Sequence, residues 1–202
     1  IVDVGAESLK IVTERACQRI SEFAYRHARA HGRRKVTVLH KANIMKLTDG
    51  MFLDVARKVS RRYPEVETQE AIVDACCMGL VRDPSRYDVL LMDNLYGDIL
   101  SDLTAGLVGG LGVVPGANIG DECAVFEAVH GSAPDIAGKG VANPTALILS
   151  AAMMLQYVGE RDAARRIEAA VEKVYATTDL RTPDLDGDAT TEAFTAAVIA
   201  AL

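Results

Sequence analysis

The sequence predicts an α/β protein built on parallel strands. Short apolar runs (VTVLH, VETQEAIV, YDVLLMD) alternate with segments whose apolar residues recur at helical spacing. Strand, helix and strand follow one another in that order, the pattern of crossover connections between parallel strands. Turn residues such as Gly32 and Pro64 punctuate the segments where one periodicity gives way to the next.

Thr13 is a candidate N-cap for a long helix carrying Ala16, Cys17, Ile20, Phe23, Ala24 and Ala28 on one face, ended by Gly32. The basic RRK leads into VTVLH, a short buried strand, and KANIMK follows as a polar loop. Thr48–Asp49 opens a second helix with Phe52, Val55, Ala56 and Val59 inward, stopped before Pro64. VETQEAIV reads as a strand, IVDACCMGLV as a helix and YDVLLMD as a second buried strand. NLYGD then leads to an apolar helix from about Ile99 to Val108. Gly106, Gly109, Gly110, Gly112, Gly116 and Gly120, with Pro115 among them, read as a loop with tight turns and as the crossover between domains. Asn143–Pro144 supplies an N-cap and an N1 proline for a helix through Val158, ended by Gly159. Two further helices, about 162–177 and 190–201, complete the chain.

Composition narrows the function. Half of the 202 residues are hydrophobic and a quarter are charged, as in an ordinary globular protein. A net charge of −6 argues against a nucleic-acid partner, whose phosphates need a basic face. No apolar stretch approaches the roughly 20 residues of a membrane span, so no membrane partner is expected. The opening IVDVGAESLK shows no charged n-region or apolar h-region of a leader. Cys17, Cys76, Cys77 and Cys123 have no finger or CxxC spacing, and Cys76 and Cys77 read as buried thiols. A reducing compartment follows: the cytoplasm of a bacterium, or the mitochondrial matrix of a eukaryote.

Asp98 and Asp102 stand four residues apart at the start of a helix that follows a strand, so both carboxylates face one point. Hard oxygen donors of this kind suit Mg²⁺ or Mn²⁺. The same spacing also fits a helix cap followed by a solvated acid. Location favours the metal, because ligands bind beyond the carboxyl ends of parallel strands. Lys41 and Asn43 follow VTVLH at another strand end. A lysine there suits proton transfer, and a solvated loop lysine fits equally. Asp74 lies in an otherwise apolar helix and wants a partner, whether a metal, a cation or water. GGLGVVPG only superficially matches GxGxxG: Pro115 displaces the third glycine and the run follows a helix, which excludes a Rossmann fingerprint. HGSAPDIAGKGVANP places His130, Asp135 and Asn143 in a glycine- and proline-shaped loop before a helix. An acid in a nucleotide loop can accept from ribose hydroxyls and repel a 2′-phosphate.

Together HKANIMK, NLYGDILSD, PGANIGDECAVFEAVHG and HGSAPDIAGKGVANPTALILSAAMML resemble the isocitrate/isopropylmalate dehydrogenase family across essentially the whole chain. HKANIMK with TDGMF and PGANIGDE looks most like the isocitrate branch. The resemblance implies a two-domain α/β/α fold, distinct from Rossmann and here partial. Residues 1–109 would form a small, dimer-making domain, and residues 110–202 the C-terminal part of the cofactor domain.

By this resemblance Asp98 and Asp102 are metal ligands from one subunit, and Asp74 is the third, reaching the metal of the partner subunit. Lys41 matches the catalytic lysine, also serving the partner's substrate, and Asn43 a residue near substrate and nicotinamide. His130, Gly131, Ala133, Asp135, Ile136 and Asn143 match the adenosine-binding loop. NADP-linked relatives carry Lys-Tyr at Asp135–Ile136 and place a Tyr and an Arg near RTPDLDG; here Asp135 is present and no Arg follows Pro183, which points to NAD. The implied activity is NAD-linked, Mg²⁺- or Mn²⁺-dependent oxidation and decarboxylation of isocitrate by a homodimer with shared active sites. Isopropylmalate, homoisocitrate and tartrate are the alternative substrates, and a regulatory subunit of a heteromeric isocitrate dehydrogenase is the alternative role. The family's arginine-bearing substrate loop and tyrosine motif lie upstream of HKAN and are not among these residues. The segment alone is therefore expected to be inactive.

Overall fold

The computed structural model describes residues 5–202; the first four residues of the stretch read for a leader lie outside it. The chain divides into two compact units, Ile1–Ser101 and Asp102–Leu202. They part inside a helix, whereas the division expected at 109/110 falls just after that helix.

The first unit follows the predicted order. Helix α1 (Glu14–Ala30) starts where Thr13 accepts the Ala16 amide, and the chain leaves through Gly32 at φ 64°. Strand β1 (Lys35–His40), helix α2 (Thr48–Ser60), strand β2 (Glu67–Ile72), helix α3 (Val73–Arg82) and strand β3 (Val89–Leu91) follow. The strands form one parallel sheet in the order β2-β1-β3, with β1 central. Central position explains why Val36, Val38 and Leu39 are fully buried while β2 is largely open on its outer side. Against the sheet, α1 and α2 place Cys17, Tyr25, Ala28, Phe52, Val55, Ala56 and Val59 in one core. Tyr25 stacks on Tyr63 at 5.5 Å and bonds Thr68 at 2.8 Å, tying α1 to β2. Of the paired cysteines only Cys76 is fully buried; Cys77 is partly open, a correction to the expectation that both thiols lie inside. In β3 only Leu91 is fully buried.

Asp88 closes this unit at the other end of the strands. Its carboxylate accepts the Arg34 amide at 2.7 Å and the Lys35 amide at 3.3 Å. Partial burial opposes its charge, but those amides and the Arg33 guanidinium outweigh it and hold the carboxyl below the usual range. A depressed folded-state pKa gives stability that is present above the unfolded value, near 4, and lost as pH falls through the folded value. Asp88→Ala is expected to cost about 1–2 kcal/mol at pH 7, by urea unfolding. The gap should close below about pH 4.

Helix α4 (Asn94–Val108) links the units. It begins five residues before the expected start at Ile99, so NLYGD is its first turn and not a link into it. Asp93, the last residue of the YDVLLMD segment, caps it by accepting the Tyr96 amide at 3.1 Å. In the second unit the run around Pro115 is not merely a loop with turns. It forms strand β4 (Pro115–Ile119), paired antiparallel with β5 (Ala124–Ala128). Gly116 permits the pairing, since a Cβ there would lie 3.0 Å from the Glu127 carbonyl oxygen. Ser150 fixes the hairpin to helix α5 (Thr145–Tyr157), donating to the Glu127 carbonyl at 2.8 Å and accepting the Gly116 amide at 3.3 Å. Helices α6 (Arg161–Thr177) and α7 (Thr191–Ala201) close the unit around Ala170, Val171, Val174, Phe194 and Val198. Among the described residues no helix is long and apolar enough to cross a membrane.

Candidate active site

Three parallel strands deliver three candidate residues at their carboxyl ends. Lys41 directly follows β1, Asp74 lies in the first turn of α3 after β2, and Asp98 lies on α4 after β3. Because the strands are parallel and adjacent, their carboxyl ends form one edge, the edge at which open α/β sheets bind ligands.

The Lys41 side chain meets Asp74, with Nζ 2.6 Å from Oδ1. This ammonium is the partner that the lone acid of α3 requires. It lowers the Asp74 pKa directly through that hydrogen bond. The backbone after Lys41 winds into a helical turn, the amides of Ile44 and Met45 both donating to the Lys41 carbonyl. Asn43 sits exposed on this turn.

Asp98 and Asp102 lie one turn apart on α4, both exposed. With Asp93 as the cap, Asp98 is not needed to start the helix, so the capping alternative for it falls away. Among the described residues neither carboxylate is in an ion pair, and the Asp98 carboxylate accepts a long 3.5 Å contact from Asn94. Two exposed, unneutralised carboxylates on one helix face supply hard oxygen donors and fit part of a Mg²⁺ or Mn²⁺ site. Among the described residues no group of three His, Cys, Asp or Glu side chains gathers to hold a metal. Asp74 is committed to Lys41 and does not join the pair.

Sequence reasoning missed the most buried ionic group. Asp49, at the start of α2, is 2% exposed and accepts from Lys10 at 2.8 Å, from the Lys41 amide at 2.7 Å and from the Tyr96 hydroxyl at 3.0 Å. Lys10 also reaches Asp93 at 2.5 Å and lies 4.7 Å from the centre of the Tyr96 ring. Burial works against the Asp49 charge, yet the bonds from Lys10, the Lys41 amide and Tyr96 prevail and lower its pKa. For Lys10 burial again opposes the charge, and the two carboxylates raise its pKa despite it. Thr48–Asp49 read simply as a helix start. The partners are 39 and 47 residues away in sequence, so no local pattern marks them.

The expected cofactor loop lies wholly in the second unit. His130, Gly131, Ala133 and Asp135 are exposed and Ile136 is partly covered. Two turns shape the loop, Ile136 N–H to the Ala133 carbonyl and Lys139 N–H to the Ile136 carbonyl, both 3.1 Å. Ala133 adopts φ 41°, a left-handed conformation costly for a residue with a Cβ. The loop is anchored to the start of α7, where Thr191 donates its amide to Gly140 and its hydroxyl to Ala142. Asn143 is nearly buried, its oxygen accepting the Thr145 amide and its nitrogen donating to Asp184 at 3.0 Å and Tyr175 at 3.4 Å. Pro144, expected as the first helical residue, is itself the N-cap of α5; Asn143 stands one residue before it, and its side chain braces the loop from within.

Comparisons with known proteins identify the family. The family described as isocitrate/isopropylmalate dehydrogenase matches residues 2–200. The isocitrate/homoisocitrate dehydrogenase of Thermus thermophilus is 58% identical over 192 residues, 95% of this chain and 57% of that protein. Catalytic subunit 5 of the mitochondrial NAD isocitrate dehydrogenase of Arabidopsis thaliana is 53% identical, covering 95% of this chain and 52% of its own length. The 3-isopropylmalate dehydrogenase of Archaeoglobus fulgidus is 52% identical over 188 residues, 93% of this chain and 57% of its own length. The crystal structure of isocitrate dehydrogenase from Methylococcus capsulatus superimposes with a TM-score of 0.94 at 52% identity, over 98% of this chain and 59% of that one. The chain thus spans little more than half the length of the relatives it matches. A strand-end lysine, a helical aspartate pair and a fold shared at this identity lead to one assignment: the chain belongs to the isocitrate/isopropylmalate dehydrogenase family.

Proposed function

We propose that the chain is part of an NAD-dependent, Mg²⁺- or Mn²⁺-dependent dehydrogenase that oxidises and decarboxylates isocitrate to 2-oxoglutarate. The observation that carries this reading is that three adjacent parallel strands lead at their carboxyl ends into the segments bearing Lys41, Asp74 and Asp98. The NAD-linked relatives from Arabidopsis and Caenorhabditis elegans, 53% and 54% identical, support the choice of substrate and cofactor. Homoisocitrate and isopropylmalate form the second reading, supported by the Thermus and Archaeoglobus relatives.

Asp98 and Asp102 would hold the cation, with Asp74 from a partner subunit as the third carboxylate. A bound divalent cation supplies charge stabilisation for a developing alkoxide and later for an enolate. Lys41 Nζ, once it has given up its own proton, would accept the proton of the substrate hydroxyl, and Asn43 contacts the substrate on the same turn. His130, Gly131, Ala133, Asp135, Ile136 and Asn143 shape the adenosine loop. Asp135 receives the ribose hydroxyls and repels a 2′-phosphate, favouring NAD over NADP. Sharing of sites requires a homodimer. Met78, Val81, Leu95 and Ile99 leave α3 and α4 with large apolar groups 54–61% exposed, as a face between two copies requires. Residues 1–109 then serve as the dimer-making part and 110–202 as the cofactor part.

The test is nucleotide reduction by the full-length enzyme with Mn²⁺ and each acid in turn. Isocitrate with NAD should give the highest kcat/KM, at least about 10-fold above the same acid with NADP. A preference for isopropylmalate or homoisocitrate would replace the first reading by the second.

A further inference from the structure

We propose that Asp49, buried and paired with Lys10, is a positioning residue for Lys41. This rests on the reading of Lys41 as the group that takes the substrate proton. The geometry is specific to that lysine. Asp49 Oδ2 accepts the Lys41 backbone amide at 2.7 Å, so a buried carboxylate fixes the point where β1 ends and the side chain departs. The same oxygen accepts the Tyr96 hydroxyl at 3.0 Å, from the first turn of α4. Oδ1 takes the Lys10 ammonium at 2.8 Å and the Thr48 hydroxyl at 3.2 Å. Lys10 in turn binds Asp93, the cap of α4. One carboxylate therefore ties together the strand end that presents Lys41 and the helix that carries Asp98.

Placing such a charge in the interior is costly unless every lone pair is used, and here they are shared among an ammonium, an amide and two hydroxyls. A helix start needs none of this, since an exposed Ser or Asp caps as well. The arrangement makes sense where a displacement of about 1 Å in a reacting group is expensive, as it is in proton transfer. The outer side of the turn, Asn43, Ile44, Lys46 and Leu47, is exposed, so Asp49 is the anchor on its inner side.

The experiment compares Asp49→Ala, Asp49→Asn and Lys10→Met with Lys41→Ala in the full-length enzyme, assayed well below each variant's melting temperature. Asp49→Ala should lower kcat at least about 10-fold with KM for the acid changed less than about 3-fold. Asp49→Asn keeps an acceptor for the Lys41 amide and should retain more kcat than Asp49→Ala. Mn²⁺ affinity, read by electron paramagnetic resonance, should stay within about 3-fold of wild type. Lys10→Met leaves the buried Asp49 carboxylate without its counter-ion and should lower kcat at least about 3-fold, so it carries the test if Asp49→Ala does not fold. A kcat within about 2-fold of wild type for folded Asp49→Ala, or for Lys10→Met where it alone folds, overturns the proposal while Lys41→Ala remains inactive. If Lys41→Ala itself keeps full activity, the reading of Lys41 falls first, and the positioning role falls with it.

Discussion

Asp98→Asn in the full-length enzyme is expected to lower kcat/KM at least about 100-fold at saturating Mn²⁺, with weaker Mn²⁺ binding by paramagnetic resonance. The substitution removes one charge and leaves shape and helix propensity nearly unchanged. Asp98 is exposed and does not cap α4, whose first turn is held by Asp93, so stability should move by less than about 0.5 kcal/mol. That separation of effects is what makes the variant informative. A capping residue would lose stability and keep activity, and a metal ligand does the reverse. Unchanged turnover would remove both the metal assignment and the catalytic role of the chain. A regulatory subunit would then be the better account.

Lys41→Ala is expected to lower kcat about 10²–10⁴-fold, the range for loss of a positioned acid or base. The KM for the acid should change less. Two features of the local structure bear on the size of the effect. Lys41 directly follows the central strand β1, and its amide is held by the buried Asp49 carboxylate. Its ammonium is 2.6 Å from Asp74, which it would leave unpaired on removal. Asp74 is two-thirds exposed, so water takes over that partnership at little cost in stability. Stopped-flow measurement of nucleotide reduction, compared with steady-state turnover, distinguishes loss of the proton-transfer step from slowed product release. A variant with wild-type kcat would leave Lys41 a surface ion pair.

The first unit was legible in the sequence because its elements are local. Helices α1 and α2 show apolar spacing that marks a buried face, although in α1 Ile20 and Phe23 stay exposed while Ser21 and Tyr25 lie inside. Strand β1 is a run of apolar residues bounded by basic and polar ones. The start of α4 was not. Its cap, Asp93, belongs to the segment that reads as strand, and Gly97 disfavours helix within the first turn. The Asp93 cap and the bond from the Tyr96 hydroxyl to Asp49 hold that turn despite the local preference. The β4–β5 hairpin was hidden for a related reason: Pro115, Gly116 and Asn118 are poor strand formers. Its pairing relies instead on Ser150, 34 residues away. In the site, Lys41, Asp74, Asp98 and Asp102 stand out by residue type and place. The Lys41–Asp74 pair needed the parallel register of β1 and β2 to be seen. Asp49 and Lys10 were invisible, because a buried ion pair is a relation between distant residues and neither half is unusual alone.

The position of Asp98 and Asp102 inside α4, beyond its first turn, has a consequence for insertions and deletions. Each residue of an α-helix turns about 100° and rises about 1.5 Å. A residue gained within Asn94–Gly97 would leave the two carboxylates one turn apart and swing both together by about a quarter of a circle. A residue gained between them would instead spread them to opposite flanks of the helix. The first change keeps the pair and re-aims it; the second dissolves it. Under the proposed metal role, length is therefore forbidden between Asp98 and Asp102, where the spacing itself keeps both carboxylates on one face.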